Sequence, residues 1–172
     1  MAQIVDIFTA DSPASPAISQ KSVHAIPGRG LKGDRYFDGN GTFSPPLQKP
    51  DFEITLIQKE HVELFASSSG VSFTTRMARR NLVTVGIDLN SLVGRDFRVG
   101  SVLMRGVRLC EPCNYLAKQT SPKILRGLLH KGGLRAQILS EGEIRVGDSL
   151  VEASPDQSPE PTPMKTTPAA KS

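Results

Sequence analysis

Apolar and polar residues alternate along much of this chain, in short runs that turn residues separate. Such alternation is typical of β-strands with one buried face. The predicted strands are 4–10, 53–58, 81–87, 96–109, 134–140 and 143–153. Gly100 and Gly106 should mark a turn or a bulge within 96–109, and S-E-G-E-I at 140–144 should form a hairpin turn.

Helical spacing is confined to two segments, 58–69 and 121–131. The second has Ser121 as an N-cap, Pro122 at the first helical position and a Gly-Gly stop at 132–133. Residues 25–51 are rich in glycine and proline and are expected to form a long loop. The pattern as a whole predicts a mainly antiparallel β-barrel with a few peripheral helices.

Composition divides the chain into one domain and a tail. Hydrophobic residues make up 38% and aromatic residues only 5%, with no tryptophan, so the core should be aliphatic. Residues 154–172 are rich in proline and hold Met164 as their one large apolar side chain. We therefore expect a folded domain over 1–153 and a disordered tail over 154–172.

The formal net charge of +4 fits an anionic ligand, a nucleic acid or no particular partner. No run of basic residues is present, which argues against a nucleic-acid partner. The N-terminus lacks the pattern of a signal peptide, and no apolar run is long enough to span a bilayer. The expectation is a soluble cytoplasmic protein without a membrane partner.

Both cysteines of the chain, Cys110 and Cys113, lie in R-L-C-E-P-C-N-Y-L at 108–116. A structural zinc would need further ligands, and the three histidines form no close pair with them. A dithiol, a disulfide and two small buried side chains remain as alternatives. The favoured interpretation places Cys113 at the start of a helix, where the dipole favours a reactive thiolate that can carry sulfur or bind a soft metal.

Basic side chains that could hold an anion occur in two places. Arg79, Arg80 and Asn81 stand at the entrance of a predicted strand, where guanidinium groups can bind phosphate bidentately. His130, Lys131 and Arg135 surround the Gly-Gly stop. Ordinary surface charge is the alternative in both places. The glycine-rich stretch 28–41 matches neither a P-loop nor a dinucleotide fingerprint.

Three blocks of the sequence resemble the MOSC domain, the module at the C-terminus of molybdenum cofactor sulfurases that also occurs as stand-alone bacterial proteins. The blocks are G-L-K-G-D-R-Y at 30–36, R-R-N through C-E-P-C at 79–113, and G-G-L-R through D-S-L at 132–150. The resemblance implies a β-barrel of the kind also seen in the pyruvate kinase barrel domain. It covers most of 1–151.

The resemblance also implies chemistry. The invariant cysteine of the family falls at Cys113, with Cys110 as a companion that only some relatives have. The element that holds the pterin phosphate in cofactor-binding relatives falls at Arg79 and Asn81, and Tyr36 stands where some relatives have histidine. These matches imply that Arg79 and Arg80 face the same pocket as Cys113.

Two functions follow from the resemblance, binding of the molybdenum cofactor with Cys113 on the metal, or carriage of sulfur on Cys113. The implied partners are a cysteine desulfurase, to which pyridoxal phosphate would belong, or an electron-donor protein if the chain is part of a reductase. The alternative is a non-catalytic ligand-binding barrel with a Cys110/Cys113 dithiol switch.

Overall fold

A computed structural model describes residues 1–47 and 49–155 of the chain. Apart from its first two residues, the predicted tail at 154–172 lies outside this part. The strands are β1 Gln3–Thr9, β2 Ile18–Ser19, β3 Ser22–Ile26, β4 Gly30–Leu31, β5 Ile54–Gln58, β6 Leu82–Val85, β7 Asp96–Val99, β8 Val102–Leu109, β9 Leu134–Ile138, β10 Gly142–Arg145 and β11 Leu150–Glu152. The α-helices are α1 Lys59–Ser69, α2 Asn114–Gln119 and α3 Ile124–Gly127, and 3-10 turns occupy Pro50–Phe52 and Leu89–Leu92.

Eight strands form one sheet in the order β11-β7-β8-β9-β5-β6-β1-β2, and β10, β3 and β4 form a second sheet. Every pairing is antiparallel except β5 with β6, between which α1 makes the crossover. The large sheet curls into an incomplete barrel. Backbone bonds from Leu150 N to the Ala2 oxygen and from Ile4 N to the Asp148 oxygen bring its two sides together.

The residues of the sheet alternate between two apolar cores. Inward-facing side chains such as Ile4, Leu56 and Leu82 fill the barrel and are fully buried. Their neighbours Ile57 and Val83 point outward and pack against the helices. This alternation follows from the two-residue period of a strand and explains why β5 and β6 are apolar on both faces.

Most predicted strands are confirmed, with shifted ends. Gly100 lies in the β7–β8 turn with a φ of 57°, and the register of β8 with β9 shifts between Gly106 and Arg108, so both glycines mark the expected irregularities. Helix 58–69 is confirmed as α1. Together with the incomplete barrel, these elements confirm the mainly β fold class.

Three local predictions are wrong. The segment 121–131 holds only the short helix α3, because Leu128 leaves the helical conformation, with a φ of −107° and a ψ of 13°, and His130 takes a left-handed φ of 60°. The segment 140–144 is no hairpin turn, since β9 and β10 belong to different sheets. Finally, 143–153 is two strands, and Gly147 reverses the chain between them with a φ of 95°.

The strands β2, β3 and β4 were not predicted. They are short, and β4 falls in a stretch that its glycines and prolines mark as loop. β3 does alternate, with Val23 and Ala25 buried between partly exposed neighbours. No helix of the described residues is long and apolar enough to cross a membrane.

Candidate functional site

A cavity of about 310 Å³ lies where the cysteine loop, Cys110–Cys113, meets the segment before β6 and the turn Pro50–Phe52. Five arginines line it, Arg35, Arg79, Arg80, Arg108 and Arg135. Both cysteines and Asn81 also line it, together with the aromatic side chains of Tyr36, Phe43, Phe52 and Tyr115. Glu111 is the one carboxylate among the described lining residues. The walls are therefore cationic and partly aromatic.

The cysteine loop connects β8 to α2. Cys110 is buried, with 1% of its surface exposed, and its N–H donates to the Gly133 oxygen at 2.7 Å. Cys113 is only partly buried and is the N-cap of α2, where its Sγ accepts from the Leu116 N–H at 3.5 Å. Both thiols are free. Of the two, Cys113 is the more accessible to a ligand in the cavity.

Arg80 ties this loop to the rest of the site. Its Nε donates to the Gly132 oxygen at 2.9 Å, and its Nη2 donates to the Cys110 oxygen at 3.3 Å. Its Nη1 donates to the Ala78 oxygen at 3.3 Å. All three guanidinium nitrogens thus contact backbone carbonyls. At Gly132 a Cβ would collide with the Cys110 oxygen, so only glycine permits this close approach.

Arg79 forms hydrogen bonds with the loop 11–17 and not with the cysteine loop. The residue has a φ of 56°, and its Nη1 and Nη2 donate to the oxygens of Ser15 and Pro13 at 2.8 and 3.3 Å. The Tyr115 hydroxyl donates to the same Pro13 oxygen. Burial, and next the charge of Arg35, lower the pKa of the Arg79 guanidinium from its usual value.

Asn81 is buried and joins three segments of the barrel. Its Oδ1 accepts from the N–H and the hydroxyl of Thr55, each at 3.1 Å, and its Nδ2 donates to the Phe8 oxygen at 3.1 Å. Its backbone N–H donates to the Thr55 hydroxyl. The amide is thus largely satisfied by the scaffold.

Arg35 comes from the turn after β4 and pairs with the buried Asp34 at 3.3 Å. Asp34 also accepts from the Ala10 N–H. Desolvation raises the pKa of Asp34 from its usual value, although the Arg35 charge opposes this shift. The Arg35 guanidinium lies over the Tyr36 ring, 4.9 Å from its centroid.

Arg108 of β8 lies opposite Arg135 of β9 in the sheet, and both side chains contact Asp51. The Asp51 carboxylate pairs with Arg108 at 2.8 Å, and its backbone oxygen accepts from Arg135 Nη1 at 3.1 Å. Arg135 also lies over the Phe52 ring at 5.1 Å. Arg135 therefore has no carboxylate within 4 Å in the described part of the chain.

His130 and Lys131 do not line the cavity. His130 is exposed, and its backbone N–H and ring Nδ1 contact the Glu111 carboxylate at 3.0 and 3.2 Å. It touches the cysteine loop through Glu111. Lys131 is exposed. Of the eight site residues predicted from the sequence, the structure brings six to one cavity, Arg79, Arg80, Asn81, Cys110, Cys113 and Arg135, and their roles in binding or catalysis stay a prediction.

Sequence reasoning passed over several residues that line the cavity. Arg35, Phe52 and Arg108 were given no role, although Arg35 and Arg108 lie within the blocks that resemble the MOSC domain, and Tyr36 was identified only as standing where some relatives have histidine. One signal was available, since Arg108 stands two residues before Cys110 on a predicted strand. Within the described ranges 1–47 and 49–155, no three His, Cys, Asp or Glu side chains come together as a metal ligand set.

Comparison with known proteins agrees with this fold. YuaD from Bacillus subtilis superposes with a TM-score of 0.75 at 17% identity, covering 89% of this chain and 96% of that one. YiiM from Geobacillus stearothermophilus gives 0.69 at 20% identity, over 90% and 76% of the two chains. YiiM from Escherichia coli gives 0.66 at 20% identity, over 90% and 70%.

Identities this low establish the shared fold alone. No curated protein matches the sequence. The profile of the MOSC domain family, however, matches residues 39–151, which is well over half of the chain. This protein is therefore a member of the MOSC domain family.

Proposed function

We propose that the cavity binds an anionic, metal-bearing small molecule of the molybdenum cofactor type. The observation that carries this proposal is that one cavity of about 310 Å³ holds five guanidinium groups and the accessible thiol of Cys113. Guanidinium groups suit a phosphate group, and a thiolate suits a soft metal. Family membership points the same way, because MOSC domains are associated with this cofactor.

The residues present fit such a group. The cavity falls within the range of known small-molecule sites, roughly 300–1,000 Å³. Two residues that line it, Arg35 and Arg135, have buried Nε atoms without a hydrogen-bond partner among the described residues. An anionic ligand would supply acceptors that the protein does not.

In this proposal the arginine wall holds the anionic end, and Cys113 Sγ is the protein ligand of the metal. The bound cofactor would supply the redox chemistry. The protein would bind it, orient it and shield it between the aromatic side chains of Tyr36, Phe43 and Phe52. Any turnover would require a separate electron-donor protein as partner.

Sulfur carriage on Cys113 is the second candidate. It is favoured by the partial exposure of Cys113 beside the buried Cys110. A persulfide on Cys113 would come from a cysteine desulfurase, in which pyridoxal phosphate would reside.

One experiment separates the two. The wild-type chain and Cys113→Ser are purified from a molybdenum-replete host and examined by elemental analysis and intact mass. Molybdenum in the wild type and its loss in the variant support cofactor binding. A mass increase of one sulfur atom that requires Cys113, without molybdenum, supports the carrier. If neither molybdenum nor the sulfur adduct is found, both proposals are refuted and the non-catalytic dithiol barrel remains.

A further inference from the structure

We infer that Phe43 selects ligands with a flat, conjugated ring, by stacking on the face of that ring in the cavity. The ligand class is therefore an anionic small molecule that carries a planar ring system. This inference rests on the proposed function in taking the cavity as a ligand site. It adds a specificity-determining residue and the shape of the group that this residue recognises.

The first argument is the exposure of Phe43. Of the seven phenylalanines and two tyrosines, it is the one that the fold leaves exposed, with 45% of its surface accessible. It nevertheless lines the cavity. Within residues 1–47 and 49–155 it takes part in no ring pair and no cation–π contact. A large aromatic ring at the edge of a concave site thus lacks the apolar contacts that a ligand would supply.

The second argument is that a closed turn holds Phe43 in place. The turn runs from Gly41 to Ser44, and the Ser44 N–H donates to the Gly41 oxygen at 3.1 Å. The Gly41 N–H donates in return to the Ser44 hydroxyl at 2.8 Å. Phe43 is therefore a central residue of a turn whose two ends are bonded to each other. Its backbone is ordered before a ligand arrives, which lowers the entropy cost of binding.

The third argument is that this turn rests on the wall of the cavity. A Cβ at Gly41 would collide with the Tyr36 ring, so the glycine backbone packs directly on that ring. The Tyr36 ring lies 6.2 Å from the Phe52 ring, and both residues line the cavity. The turn that carries Phe43 is thus seated on the aromatic part of the cavity wall.

Stacking gives a physical basis for selecting flat rings. A conjugated ring can lie parallel to the Phe43 ring in an offset stack, which adds affinity beyond the burial of apolar area. A saturated ring of the same size gains only the burial. The arginines of the cavity attract the anionic group of either ligand equally. Two ligands of equal charge should therefore be distinguished by the flatness of their rings.

Phe37 provides the matched control. It lies in the same loop, but it does not line the cavity, and the Arg29 guanidinium covers its ring at 4.0 Å from the centroid. Phe43→Leu and Phe37→Leu each replace one aromatic ring by an aliphatic side chain. Phe43→Tyr is the conservative variant, because it keeps a ring at the exposed position.

The test uses the full chain, produced in a host that makes no molybdenum cofactor, with phenyl phosphate and cyclohexyl phosphate as probes. Both probes carry the same charge and a ring of the same size, and only the first ring is flat. Affinities are measured by calorimetry at constant ionic strength. We expect the wild type to bind phenyl phosphate roughly two- to tenfold more tightly than cyclohexyl phosphate, as one aromatic stack implies.

Phe43→Leu should lose this preference, whereas Phe37→Leu and Phe43→Tyr should keep it. Contact is read directly by NMR. Nuclear Overhauser signals between the phenyl protons of the probe and the Phe43 ring should appear in the wild type, and they are assigned by their absence in Phe43→Leu.

The inference is overturned if the preference survives in Phe43→Leu, if it is lost equally in Phe37→Leu, or if it is lost in Phe43→Tyr as well. A wild type that does not distinguish the probes, or that binds neither at millimolar concentrations, would overturn it too. The proposed function fails separately. A preference that depends on Phe43, in a protein that carries neither molybdenum nor sulfur from a molybdenum-replete host, would refute that function alone. Molybdenum in a wild type whose preference is independent of Phe43 would refute the role of Phe43 alone.

Discussion

The guanidinium of Arg80 donates from Nη2 to the backbone oxygen of Cys110, 3.3 Å away. Because its Nε also donates to the Gly132 oxygen, one side chain joins the segment before β6, the cysteine loop and the turn before β9. These three segments are distant in sequence. The position of the two thiols in the cavity therefore depends on a cation that lies in the scaffold.

Replacing Arg80 by lysine should destabilise the fold while preserving the charge. An ammonium group cannot reproduce the planar arrangement of donors, so at least one of the contacted carbonyls would lose its partner. We expect a loss of about 2–3 kcal/mol in the free energy of unfolding, measured with urea. Arg108→Lys is the control, since the Arg108 side chain is half exposed and the substitution should cost less than about 1 kcal/mol. Equal losses in both variants would contradict the bridging role of Arg80.

The two thiols should differ in reactivity because they differ in exposure. Cys110 is 1% exposed, whereas Cys113 is only partly buried and lines the cavity. An alkylating reagent should modify Cys113 in the Cys110→Ser protein about tenfold faster than Cys110 in the Cys113→Ser protein, because a buried thiol reacts only after local opening. Rates are measured by mass spectrometry under native conditions. Similar rates, or a faster Cys110, would refute this assignment of the accessible thiol.

Gly132 should tolerate no side chain. A Cβ at this position would strike the Cys110 oxygen and approach the Pro112 ring at 3.1 Å. Gly132→Ala should therefore lower stability by about 2 kcal/mol or more and increase the alkylation of Cys110. Gly142→Ala is the control, because its Cβ would meet only the side chains of Val102 and Ser101, at 3.0 and 3.3 Å. A stable Gly132→Ala protein with a protected Cys110 would show that the turn can move away.

Glu53 should make stability depend on pH. The residue is 2% exposed, its carboxylate accepts from the Gly28 N–H at 2.8 Å, and desolvation raises its pKa to about 7. The folded state thus keeps a proton that the unfolded chain releases near pH 4.5. The stability that this proton contributes is fully present below about pH 4.5 and is lost as the pH rises to about 7, by on the order of 2–3 kcal/mol.

Glu53→Gln tests this dependence, because glutamine is neutral throughout. The variant should lose less stability than the wild type when the pH rises from 5 to 8 through the Glu53 pKa of about 7, as read from urea unfolding at each pH. Glu60→Gln is matched, since Glu60 also accepts a glycine N–H, from Gly86, but is exposed. It should keep the wild-type dependence on pH. A wild-type slope in Glu53→Gln would show that another group causes it.

The sequence predicts those parts of the fold in which a run of strand-forming apolar residues decides the structure. The strands β1, β5, β6 and β8 are clear because each is rich in aliphatic residues and supplies buried side chains. The helix after Ser121 is shorter than predicted, because Leu128 and His130 leave the helical conformation. Phe65 of α1 packs directly on Gly127, and that contact between distant segments has no trace in the local pattern.

The candidate site, too, is predicted from the sequence only in part. Cys113 and Arg79 stand out as residue types at informative positions, and both line the cavity. The motif cannot reveal that Arg79 directs its donors to the backbone of Ser15, since that loop lies more than 60 residues earlier in the chain. Nor can it reveal that the Phe52 ring lies under Arg135. Hydrogen-bond partners decide which arginine is available to a ligand, and they are set only by the folded structure.

The walls of the cavity extend from Arg35 to Arg135 along the chain and draw on loops, strands and a helix between them. A partly folded chain cannot assemble such a site, because long-range contacts form only after the intervening segments have been ordered. Any molecule that binds there binds only the completely folded protein, and its binding free energy therefore adds to the stability of the folded state. At a hundred times its dissociation constant, a ligand would contribute about 2.7 kcal/mol. The loaded protein should accordingly resist heat and proteolysis better than the empty one, so the abundance of this chain in a cell would depend on the supply of its ligand.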